Sequence, residues 1–225
     1  VVKGHSRFFM LLTLVFGAIS GVGIWVTIGL ISPHVTSALI HGFVWGWAME
    51  WVFFLVEIAA AMVYYYGWRK MSATNHQIVG WIYFWAAWMS LFIINGIICM
   101  MLTPGQWLDT GNFWDGFFNP TYFVSTLFRT GICIMLAGIY ALVVSSRMKA
   151  DDNRKSLTRY NAIWAIVGMV IVLPSQSWLF GALPDSIRTA AAEMMPSVMA
   201  SSWASAKAAV PASVAADARS SVFMW

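Results

Sequence analysis

Hydrophobic positions in this chain come in five long runs, near residues 8–32, 42–66, 78–102, 122–146 and 161–183. Crossing the hydrocarbon of a bilayer takes about 20 apolar residues in a helix, and each run reaches that length. The pattern predicts an all-α integral membrane bundle of about five transmembrane helices over residues 1–183, with residues 184–225 as a segment outside the membrane. Strong turn formers mark the ends of the runs: Ser32-Pro33, Thr103-Pro104-Gly105 and Asn119-Pro120. Pro174 falls inside the fifth run, where it predicts a kink or an early end, with neighbouring groups taking up the freed carbonyl. Beyond Gly181 the stretch ALPDSIRTAAAEMMPSVM loses the hydrophobicity of a span and reads as an amphipathic helix at the outer surface. Residues 204–225, rich in Ala and Ser, read as an irregular low-complexity tail.

The polar positions between the runs set the orientation. Segments 67–77 and 147–160 hold Arg69, Lys70, Arg147, Lys149, Arg154, Lys155 and Arg159, whereas 33–41 and 103–121 hold no Lys or Arg. Together with Lys3 and Arg7, every basic segment falls on one side, which predicts a cytoplasmic N-terminus in an inner membrane. Only 10% of the residues are charged and mean hydropathy is +0.72, against about 25% charged in soluble domains. The net charge of +4 therefore reflects loop bias and not a nucleic-acid partner. Fourteen Trp and the Tyr64-Tyr65-Tyr66 cluster suit aromatic girdles at the two interfaces. The chain starts Val1-Val2-Lys3, so a removed leader or a further N-terminal helix is to be expected.

Against this background three residues are out of place. Glu50 and Glu57 interrupt the second run and Arg129 the fourth. A charge at the centre of a span costs roughly 2.5–3.5 kcal/mol on insertion scales, so such residues face a protein interior and mark a pathway or a site. Glu50 falls about eight residues below the outer surface, roughly 12 Å, and Arg129 at a similar depth, so the two can pair; a purely structural pair is the plainer alternative. Glu57 has no cation at its own depth and fits a proton relay. Among the histidines, His5 and His76 fall on the basic side and His34 and His41 at the outer edge. His41 is the best candidate for a haem axial ligand, with a solvated interfacial side chain as the plainer reading. Cys99 and Cys133 sit at different depths, no disulfide is expected, and metal-binding spacings are lacking. Gly17 and Gly21 form a small-xxx-small pair that would admit another backbone or a flat cofactor, and Gly131 and Gly138 carry the same suggestion.

Several segments together resemble subunit I of the cytochrome bd-type quinol oxidases. FGAISGVGIWVTIGLISP is similar to that family's Gly-rich second helix, and EWVFFLVEIAAAMVYYYGWRKM to its third, with Glu57 ten residues before Gly67-Trp68 at the place of a proton-path glutamate. Asn95-Gly96 and Asn119-Pro120 match an Asn-Gly and an Asn-Pro of the family, and Arg188 and Glu193 in SIRTAAAE match residues of its quinol-binding external loop. The likeness runs over most of residues 8–195. It implies a quinone or quinol site in which Arg188 and Glu193 hold the headgroup and Glu193 accepts its proton. There are departures. Phe128, followed by Arg129, stands where the family has a haem-ligating His, and Glu50 is one place out of register with the family's second glutamate. The family's first helix, with another haem ligand, and everything after the quinol loop have no counterpart in this chain. The resemblance therefore implies a membrane subunit of a respiratory electron-transfer complex, with most cofactors in partner membrane and peripheral redox subunits such as cytochromes; any haem here lacks the family ligand at Phe128. A split or truncated bd-type quinol:oxygen oxidoreductase, and a non-catalytic scaffold anchoring peripheral redox subunits, are the alternatives.

Overall fold

The protein is described by a computed structural model covering residues 2–148, 152–190 and 193, with only the backbone described at Val2, Gly4, His5 and Phe9. It is all helical, with no strand among the described residues: α1 (Val2–Ile31), α2 (Pro33–Gly42), α3 (Val44–Tyr66), α4 (Ala73–Leu102), α5 (Trp107–Thr110), α6 (Phe113–Phe117), α7 (Tyr122–Ser146) and α8 (Asp152–Ala182). Five of these, α1, α3, α4, α7 and α8, are long and apolar enough to cross a membrane. Their surfaces agree, since residues such as Phe16 and Ile19 on α1 are each 69% exposed, a state that suits lipid and not water. The chain divides into two compact units, Val1–Gly181 and Ala182–Trp225. The tail at 204–225 lies outside the described residues.

Hydropathy misreads two places. Residues 33–41 were expected to form a connecting loop, yet Pro33 at the first helical position starts α2, a helix too short to register as a span. The last span begins at Asp152 and not near 161, because its polar first turns are helical without being apolar. Pro174 neither ends nor interrupts the helical run, which continues to Ala182; beside the missing N–H, Ser175 Oγ donates to the carbonyl of Ile171 at 2.6 Å.

The buried core sits towards the end of the bundle away from the basic segments. Leu39 of α2, Phe43, Ile93, Ile97 and Met100 of α4, Phe117 and Tyr122 form one cluster, with Phe43, Ile97 and Tyr122 fully buried. Two asparagines stitch it together. Asn95 donates to Tyr122 O (3.2 Å) and Thr126 Oγ1 (2.9 Å) and accepts from Ser125 Oγ (3.0 Å), joining α4 to α7. Asn119 donates to the carbonyls of Gly96, Gly116 and Phe117 and accepts from Thr103 and Thr121. Within hydrocarbon such groups have no water to fall back on, so a saturated asparagine fixes helix position more firmly than apolar contact does.

Glycine decides how α7 and α8 meet. A Cβ added at Gly138 would lie 2.8 Å from Ala165 Cα, and one at Gly168 2.6 Å from Met135 Cα, so the two backbones touch where side chains are missing. Asn161 Nδ2 donating to Ser145 Oγ (3.0 Å) closes the same interface.

Candidate functional site

α3 and α4 form an antiparallel hairpin through the turn at residues 67–72, and their register is fixed by three facing pairs at seven-residue steps. Tyr64 stacks on His76 with ring centroids 4.1 Å apart, and His76 Nε2–H donates to Tyr64 O at 3.0 Å. Glu57 faces Tyr83. Glu50 accepts a hydrogen bond from Ser90 Oγ at 3.1 Å. Seven residues are close to two helical turns, so Glu50 and Glu57 share one face of α3 about 10 Å apart along its axis.

That face opens on a cavity of about 900 Å³ between α1, α3 and α4. Its polar groups are few: Glu50, Glu57, Tyr83, Ser90 and Thr13. The rest of the wall is apolar and aromatic, including Trp47, packed edge-on against Trp25 at 4.6 Å. The indole N–H of Trp47 is buried with no acceptor among the described residues. The opposite wall is the small-residue face of α1, where Gly17 and Gly21 have nothing within 4 Å of an added Cβ. The Gly17/Gly21 pair thus borders open space, whereas Gly131 and Gly138 serve close packing, with Ile171 Cγ2 2.8 Å from a Cβ at Gly131. An apolar pocket of this size with a few convergent polar groups is the usual form of a small-molecule site.

The other expected residues are scattered. Arg129 is half-buried on α7 and makes no ion pair with Glu50, whose one side-chain partner among the described residues is Ser90. Equal depth did not bring Glu50 and Arg129 together because depth fixes height along the bundle and not the direction a side chain leaves its helix. His41 is exposed at the end of α2, its Nδ1–H donating to Ser37 O at 2.7 Å. It sits in the last turn of α2, three residues before the span α3 begins. Phe128 is partly buried beside Arg129. Arg188 pairs with Asp185 one turn earlier, and Glu193 is helical and exposed, both in the unit that begins at Ala182. No group of three or more potential metal ligands forms among the described residues.

Ser90, Tyr83 and Trp47 belong to the cavity although nothing about them alone marks them. The usable signal is the matched spacing, since Tyr83 and Ser90 repeat on α4 the step between Glu57 and Glu50 on α3. The chain matches no family profile, no curated protein and no solved structure.

Proposed function

We propose that this chain is a membrane subunit of a respiratory electron-transfer complex, related to subunit I of the bd-type quinol oxidases, which exchanges electrons with the quinone pool and moves protons through the α3 face. The observation that carries the reading is the opening of Glu50 and Glu57 into one apolar cavity at lipid depth. Two carboxyl groups in such surroundings are costly unless they serve a pathway. A quinol supplies two protons with its two electrons, so its oxidation needs groups that accept and pass protons. Glu57, Tyr83, Glu50 and Ser90 form a run of exchangeable oxygens along the cavity. Glu57 is the mid-span member and Glu50 lies nearer the end without Lys or Arg.

Arg188 and Glu193 fit a quinol headgroup chemically, with a guanidinium to donate and a carboxylate to accept a hydroxyl proton. Asp185 would hold the guanidinium in place. No haem step is assigned, because Phe128 offers iron no lone pair where the family supplies an imidazole. Electrons would leave to redox centres in partner subunits. The basic ends of α3, α4, α7 and α8 favour the cytoplasmic side of an inner membrane.

The test is quinol-dependent reduction of the purified complex. Glu57→Gln is expected to lower it by about 100-fold, the lower end of general acid–base contributions. Glu50→Gln keeps a hydrogen-bond acceptor for Ser90 and should preserve folding while slowing turnover. Unchanged turnover in both variants would leave only a scaffold, and unchanged reduction in Arg188→Ala and Glu193→Ala would remove the quinol assignment.

A further inference from the structure

A second concavity of about 660 Å³ is separate from the glutamate-lined cavity, and is bounded by Tyr64, His76, Gly80, Phe84, Ile134 and Trp164. It joins the C-terminal end of α3 and the N-terminal end of α4 to α7 and α8. Phe84, Ile134 and Trp164 each lie about eleven residues, or roughly 17 Å, from the helix ends at Ala73, Ser146 and Asp152. Part of that length is polar helix, on α8 above all, so the groove runs from the polar helix ends into the apolar part of the bundle. Its inner wall is aromatic and aliphatic, and Gly80 leaves room in front of the Tyr64 ring, 3.3 Å from an added Cβ. Its mouth is polar. His76 is fixed there by its bond to Tyr64 O and by the edge of Trp68 at 4.8 Å, with Gln77 beside it.

The same helix ends carry an excess of positive charge. Arg69 and Lys70 are exposed in the turn just before Ala73, Arg147 is exposed at the C-terminal cap of α7, and Arg159 is exposed a little over one turn before Trp164. Asp152 at this end is already taken by Lys155 at 3.4 Å. An apolar groove whose polar mouth lies at the helix ends that carry these basic residues suits a molecule with an apolar chain and an anionic head. We propose that it is a binding site for an anionic phospholipid of the leaflet on the basic side, with one acyl chain against Phe84, Ile134 and Trp164 and the phosphate among Arg69, Lys70 and Arg147.

Native mass spectrometry of the full chain from mixed micelles tests this, with phosphatidylglycerol and phosphatidylcholine of identical chains supplied in equal amounts. Phosphatidylglycerol adducts should dominate, and Arg69→Gln/Lys70→Gln should weaken them by about fivefold for each basic side chain lost. Ile134→Trp, which fills the groove, should remove them while the circular dichroism stays helical. Should Ile134→Trp fail to fold, the double charge variant decides alone, since both its side chains are exposed. Equal retention of the two lipids, phosphatidylglycerol binding unmoved in the charge variant, or crosslinking of a photoreactive side chain at position 84 to a protein chain and not to lipid overturns the proposal.

Discussion

Asn119 and Glu50 show two fates for a polar side chain at membrane depth. Asn119 is 2% exposed and saturated on both sides of its amide, which binds the end of α4, the α6 turn and the start of α7 into one knot. Its removal strands the carbonyls of Gly116 and Phe117 and the buried N–H of Thr121, while the Thr103 and Thr121 hydroxyls keep each other. At 1–3 kcal/mol for each stranded group, Asn119→Ala should cost on the order of 3 kcal/mol, read as a lower midpoint in equilibrium SDS unfolding. Glu50 has a single hydrogen bond, from Ser90, and an open cavity beside it. A carboxyl group so thinly held adds little to stability, which fits the proton role proposed for it. The two asparagines that carry part of the family resemblance are thus structural ties, and the glutamates are the residues left over for function.

Helices of nearly equal hydropathy play unequal parts. α4 is the central one: it packs on α3 along its length, bonds to α7 through Asn95 and through Trp88 Nε1 donating to Thr130 Oγ1 at 3.2 Å, and supplies the core residues Ile93, Ile97 and Met100. α1 touches less and exposes most of its surface. Its glycines therefore differ in kind from those of α7. Gly138→Ala must push Ala165 away and should destabilise the α7–α8 contact by about 1–3 kcal/mol. Gly17→Ala meets nothing, and should leave stability unchanged or raise it by up to about 1 kcal/mol through helix propensity. Parallel unfolding curves of the two variants check the contrast, and equal losses would place Gly17 in a close helix contact.

For the molecule as a whole, the charge asymmetry and the helix order predict an orientation that labelling can test. The two basic segments follow α3 and α7, which are separated by the spanning helix α4, so the order of spans puts both segments on one side. In a Cys99→Ala/Cys133→Ala background, Lys70→Cys should react with an impermeant maleimide only in inside-out vesicles. Asp109→Cys should react only in right-side-out vesicles. The reverse pattern would invert the proton path, with Glu50 nearer the cytoplasm.

Number, length and approximate limits of the spans follow from the order of residues alone, because the cost of placing a peptide in lipid is local and additive along a helix. Turns at Pro33, Pro104 and Pro120 are local for the same reason. The short α2 escaped because a helix of ten residues satisfies no span criterion, although Pro33 hinted at its start. That Glu50 meets Ser90 and not Arg129, and that Gly17 borders a cavity while Gly138 touches a backbone, could not be read from the chain. Those outcomes depend on which helix stands opposite which face, and neighbour choice is set by close packing and interhelical hydrogen bonds summed over the bundle, with almost no trace in hydropathy.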